Sequence, residues 1–136
     1  MNVVNYFIGM PYSLGNHALR NFPVASGNLE PGDLVTHDNI AGSDKIVKVT
    51  DISTQTILGV VDYRCTAAGY GVDPANNEKR YQVFTDGEIC IEKPAGFDPD
   101  VGLIGAKIVM TGKSFVKRNK DTGVLESVDG LVIKLQ

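Results

Sequence analysis

The sequence contains no tryptophan and only two cysteines, Cys65 and Cys90. They form no CxxC pair and match no metal-ligand spacing, which leaves two readings: free buried thiols, or one disulfide between strands. No apolar run reaches the roughly 18 residues of a membrane-spanning helix. The first residues are apolar but lack a basic leading region, the first Lys or Arg being Arg20, and Asn5, Gly9 and Pro11 interrupt them. They make a poor signal peptide. Positive charge is also scarce: 13 Lys and Arg against 16 Asp and Glu give a formal net charge of -3. A chain without a basic field is not built to bind nucleic acid.

What is present fits one domain. A chain of 136 residues, 43 % apolar and 21 % charged, can bury a core without staples, and 15 glycines favour turns and strands. Residues 1–28 differ in kind from the rest. They carry one charged residue, Arg20, yet hold four of the ten aromatics: Tyr6, Phe7, Tyr12 and Phe22. Gly9, Pro11, Gly15 and Pro23 break any regular element there into short pieces. Low charge with aromatics and Met10 is the composition of an interface core, so something must cover this segment. Either it packs along its own domain, or it is an arm that lies on a neighbouring subunit or partner.

The rest of the chain is organised around Thr56-Ile57-Leu58-Gly59-Val60-Val61-Asp62, an apolar, β-branched run that predicts a strand buried on both faces. Gly59 in its middle marks a bulge or the close approach of another backbone. Before it, Pro31-Gly32-Asp33 is a turn, Leu34 to His37 a strand and Lys45 to Val49 a second. Ala68 to Arg80 reads as the longest irregular insertion, with a polar tip. Asp86-Gly87, between two β-rich runs, suits a two-residue hairpin that puts Phe84, Ile89 and Ile91 on the core face. Lys107 to Met110 is expected to turn at Thr111-Gly112-Lys113 and return through Phe115 to Lys117. After a polar turn at Asn119 to Gly123, Val124 to Ser127 is a short strand, and Leu131, Ile133 and Leu135 point inward from the last one. Short strands at this spacing predict an all-β fold, a small β-barrel or β-sandwich, with an extended N-terminal arm. The domain organisation follows as an interaction arm over 1–26 and a β-domain over 27–136.

Chemistry-bearing motifs are weak. His17 lies in the charge-poor segment and His37 at a strand end, neither near a nucleophile signature. Asp33, Asp38, Asp44, Asp51 and Asp62 are spread over turns and strand ends and read as solvated turn residues and caps. Gly112-Lys113-Ser114 resembles the end of a phosphate loop but has Lys107 where the first glycine belongs and no following helix. Gly69-Tyr70-Gly71 lacks the third glycine of a dinucleotide fingerprint, Pro74 standing there. Lys113, Lys117, Arg118 and Lys120 form a solvated basic hairpin. No catalytic, metal or cofactor residues are assigned.

From residue 24 onward, about four-fifths of the chain, the order of phrases resembles the capsid decoration (cement) proteins of tailed bacteriophages. The matching pieces are Glu30-Pro31-Gly32-Asp33-Leu34-Val35, Ile57-Leu58-Gly59-Val60-Val61-Asp62, Asp86-Gly87-Glu88-Ile89-Cys90-Ile91, Val101-Gly102-Leu103-Ile104-Gly105-Ala106-Lys107-Ile108-Val109 and the stretch with Phe115-Val116. The arm before residue 24 and the 68–80 insertion are longer than the pattern. The resemblance implies a non-enzymatic β-domain on the outer capsid surface of the virion, often trimeric, that clamps subunits of the major capsid protein. No cofactor, nucleic acid or membrane is implied. The residues expected to bind the partner are Tyr6, Phe7, Ile8, Met10, Tyr12 and Phe22, because aromatic anchors tend to dominate interface energy. The other roles weighed are a head fibre base or tail component, a small ligand-binding barrel, and a cellular adaptor.

Overall fold

The structure, a computed structural model, describes residues 6–13, 17–65, 71–73, 78–119 and 122–135. Among them are nine strands and no helix: β1 (Leu19–Pro23), β2 (Leu34–His37), β3 (Ile46–Lys48), β4 (Gly59–Val61), β5 (Gly71–Asp73), β6 (Glu78–Phe84), β7 (Gly87–Glu92), β8 (Ala106–Arg118) and β9 (Leu125–Leu135). They form two antiparallel sheets. One runs β1-β6-β4-β2-β3, with β5 pairing the first half of β6; the other runs β7-β9-β8. The sheets pack as a sandwich and are not closed into a barrel.

Strand alternation assigns the core. Successive side chains point to opposite faces, so Val60 and Phe84 of the larger sheet meet Ile89, Ile91, Leu131, Ile133 and Leu135 of the smaller one in the layer between them. Their neighbours Val61 and Val83 turn to the far face and pack with Val35, Ile46 and Tyr81. The central strand is thus buried on both faces, as its composition requires, and it occupies the middle of its sheet. The far face of the smaller sheet carries Cys90, Val132 and Phe115 and is covered by Ile8.

Several expected turns are not turns. Asp86-Gly87 does not make a hairpin: β6 and β7 belong to different sheets, and the chain crosses between them at Thr85-Asp86. The crossing is fixed by Ala18, whose N–H donates to the Asp86 carboxylate at 2.6 Å and whose carbonyl accepts from Thr85 N–H at 3.0 Å. Phe84, Ile89 and Ile91 still share one apolar cluster, because the two sheets face each other across it. Likewise the expected turn at 111–113 is a continuation: β8 runs unbroken for 13 residues past β9, with register shifts at 108/110 and 110/113. Each shift adds one residue to β8 alone, so the extra residue is absorbed as a bulge. The strands expected at 124–127 and 131–135 are likewise one, β9. Part of the 68–80 insertion is ordered as a ladder of β5 on β6, from Gly71↔Arg80 to Asp73↔Glu78; residues 68–70 and 74–77 of that region lie outside the described residues, as does Lys120.

Candidate functional site

The segment expected to act as an arm divides in two. Residues 19–23 are β1, paired with β6 over their whole length, so this part belongs to the larger sheet. Residues 6–12 instead lie across the smaller sheet and touch both of its free edges. Tyr6 and Ile8 flank Val116 of β8, with Ile8 N–H donating to the Val116 carbonyl at 3.0 Å and Val116 N–H to the Tyr6 carbonyl at 2.9 Å. The chain then crosses to β7, where Gly9 N–H donates to the Cys90 carbonyl (2.7 Å), Cys90 N–H to Met10 (2.9 Å) and Tyr12 N–H to Glu88 (2.8 Å). A sixth bond, Tyr63 N–H to the Gly9 carbonyl at 3.1 Å, ties the segment to the larger sheet. Gly9 is required at this crossing. Its φ is +82°, and a Cβ there would stand 2.5 Å from the Val61 carbonyl oxygen and 2.8 Å from Gly32 N.

The structure separates the six expected partner-binding side chains by role. Ile8, 5 % exposed, fills a socket against Cys90, Phe115 and Val132 and is unavailable to a partner. Tyr6 and Tyr12 stand 5.0 Å apart and both lean on Phe115, with ring centroids 6.4 and 6.5 Å from it. Met10 is half-buried. Phe22 is remote from the others, on β1, with its ring edge-on to His37 at 6.0 Å. Phe7 lies nearly parallel to the ring of Tyr63, which follows β4, at 6.4 Å and 22°. The two rings line an open groove of about 600 Å³ whose other walls include Arg64, Glu30, Lys117 and Arg118.

Tyr63 and Arg64 were not singled out from the sequence, although an Asp-x-Arg turn directly after the central strand is a signal for them. Asp62, expected as a solvated turn residue, is fully buried. Its carboxylate accepts from the Arg64 backbone N–H at 3.0 Å, from Nε at 3.1 Å and from Nη2 at 2.7 Å. That pairing satisfies the buried charge and holds the guanidinium 5.4 Å over the Tyr63 ring. Across the groove Lys117 donates to Glu92 at 3.0 Å, and this bond raises the lysine's pKa. Asp33 caps its own turn, accepting from Glu30 N–H at 2.8 Å; burial, the largest cause, raises its pKa.

Both cysteines are free thiols in separate apolar clusters. Burial pushes the Cys90 thiol up to about 12. Among the described residues no group of three or more His, Cys, Asp and Glu side chains is placed to hold a metal ion. His17 packs edge-on to Phe84 at 6.3 Å, and Gly112-Lys113-Ser114 sits inside β8. Comparison of the chain with family models, with curated proteins and with solved structures gives no match in any of the three.

Proposed function

We propose that this protein is a capsid decoration (cement) protein, a non-enzymatic β-domain that binds the outer surface of a phage head and stabilises contacts between major capsid protein subunits. In this reading it acts as a homo-oligomer, with a trimer favoured. The observation that carries the reading is the Phe7–Tyr63 stack beside Arg64 and Arg118, an aromatic and cationic surface at an open groove. Aromatic and Arg side chains are the usual anchors of protein interfaces. Both rings are positioned in advance, Phe7 by the main-chain bonds of its neighbours and Tyr63 by its own N–H bond to Gly9, so docking would cost little ordering entropy. A protein that binds only the assembled shell stabilises it by mass action, summed over many copies.

Co-sedimentation with expanded, undecorated heads of the parent phage tests the reading. Saturable binding by the unaltered chain, weakened at least about tenfold by Tyr63→Ala for the loss of one interface anchor, is the expected result. A chain that stays in the supernatant at every concentration sinks decoration and turns attention to a fibre base or tail component.

A further inference from the structure

The ribbon formed by the end of β8 and the start of β9 has one edge covered and one bare. Val116 sends both of its main-chain groups to the arm, its carbonyl accepting from Ile8 and its N–H donating to Tyr6. In an antiparallel ladder, opposed residues that do not bond each other direct these groups to opposite edges. Ser127, paired with Val116, therefore points its N–H and carbonyl away from β8, and Leu125, two residues along the strand, does the same. Asp129 continues the series and finds a partner, accepting from Lys93 N–H at 2.9 Å. Beyond that bond the neighbouring strand is gone. β7 ends at Glu92, the chain turns over 94–97 with Phe97 N–H donating to the Pro94 carbonyl at 3.1 Å, and among the described residues no main-chain bond reaches Leu125 or Ser127.

We infer that this bare edge is a strand-addition site, which takes an extended segment of a partner polypeptide, laid in line with β7, that alternates basic and apolar residues. It lies on the opposite edge of the ribbon from the arm and stands whether or not the groove at Phe7 and Tyr63 docks on a capsid. Three observations select the occupant. An N–H and a carbonyl offered at every second residue are met in register by another strand. There is room for one, because the position vacated by β7 is a cleft of about 550 Å³ lined by Lys93, Pro94, Gly96, Phe97, Val128 and Asp129. Charge and polarity then set the side chains. Exposed strand edges are usually guarded by lysine or proline, but between Val124 and Gly130 this one carries Glu126 and Asp129 and no basic residue. Val124 and Leu125 are 60 % and 49 % exposed. Opposite charges across a ladder favour pairing, so a basic residue belongs beside Glu126, whose carboxylate accepts one bond from Asn119 at 3.0 Å. An apolar residue belongs beside Leu125.

The chain has no tryptophan, so the fluorescence of the peptide acetyl-Lys-Val-Lys-Trp-Lys-Val-Lys-amide reports its binding to the unaltered protein. Binding should saturate, and amide exchange at Leu125 and Ser127 should slow. A version of the peptide N-methylated throughout keeps the charge and loses the donors, and should bind at least about tenfold more weakly, the effect of losing two main-chain hydrogen bonds. Ser127→Pro removes the outward N–H without taking a bond from the β8 ladder and should weaken binding similarly, whereas Ser127→Ala, which keeps that N–H, should bind as the parent does. If Ser127→Pro fails to fold, the methylated peptide on the unaltered protein decides. A peptide that does not saturate overturns the inference. So does saturable binding that methylation leaves unchanged, since attraction between charges would then account for it.

Discussion

Gly59 and Phe84 meet main chain to main chain at the centre of the larger sheet: a Cβ built on Gly59 would collide with the Phe84 carbonyl oxygen and lie 2.5 Å from Val83 Cγ1. The neighbouring chain is β6, whose Phe84 pairs with Val60, so the strand cannot move aside without losing its ladder. Gly59→Ala should therefore cost about 3 kcal/mol through overpacking, read as a lower midpoint in urea at an unchanged m-value. A variant as stable as the parent would mean that β4 and β6 are not held this close.

Ile8 and Phe7 are adjacent but should behave oppositely. Ile8→Ala empties a socket and should destabilise the fold by about 2–4 kcal/mol. Phe7→Ala removes a half-buried ring from an open groove and should cost about 1 kcal/mol or less, while weakening attachment to heads. Thermal unfolding and co-sedimentation of the two variants separate the roles. Equal loss of stability in both would place Phe7 in the core as well.

Arg64→Ala leaves the Asp62 carboxylate buried with its guanidinium partner gone. Half of the Arg64 side chain is exposed and water can partly replace it, so the expected cost is about 2 kcal/mol, that of hydrogen bonds to a charged group. Arg64→Lys should recover little, because an ammonium cannot reproduce contacts from both Nε and Nη2. Denaturant titration of the pair checks this: full recovery by Lys would show that charge alone matters.

The Cys90 thiol makes stability fall at high pH. Burial raises its pKa from 9.0 to about 12, so above pH 9 the unfolded chain has released a proton that the folded chain keeps. Stability from this group is whole below about pH 9 and lost as pH rises to about 12. Cys90→Ala should be less stable at pH 7, through the lost sulfur, yet show a flatter decline across that window. Parallel pH curves for parent and variant would mean that the thiol ionises alike in both states.

Those parts of the fold that depend on one strand's own pattern were legible in the sequence. The doubly buried central strand, the close approach at Gly59, β2 at Leu34–His37 and the inward set Leu131, Ile133 and Leu135 all appear as expected. Choices of partner were not legible. Asp-Gly at 86–87 has hairpin chemistry, but β7 pairs β9 and β6 pairs β1 and β4, and those longer ladders decide the path. Thr111-Gly112-Lys113 has turn chemistry too, yet β9 runs opposite both halves of β8 and pulls them into one strand. In the candidate site the aromatic segment was visible by its lack of charge. That Ile8 is buried while Phe7 faces a groove depends on which edges the segment touches, which local composition does not encode.

The six bonds of the arm have a consequence in time. Residues 6–12 are synthesised before β7, β8, β9 and Tyr63, and their seat is incomplete until the chain has been made past Val132, which lines the Ile8 socket. At typical rates of translation that interval is on the order of ten seconds, during which Tyr6, Phe7, Ile8 and Tyr12 have no place to go. A nascent chain must carry this apolar segment uncovered until the last strand arrives, which makes the arm a natural ligand for chaperones and a sensitive reporter of when folding on the ribosome is finished.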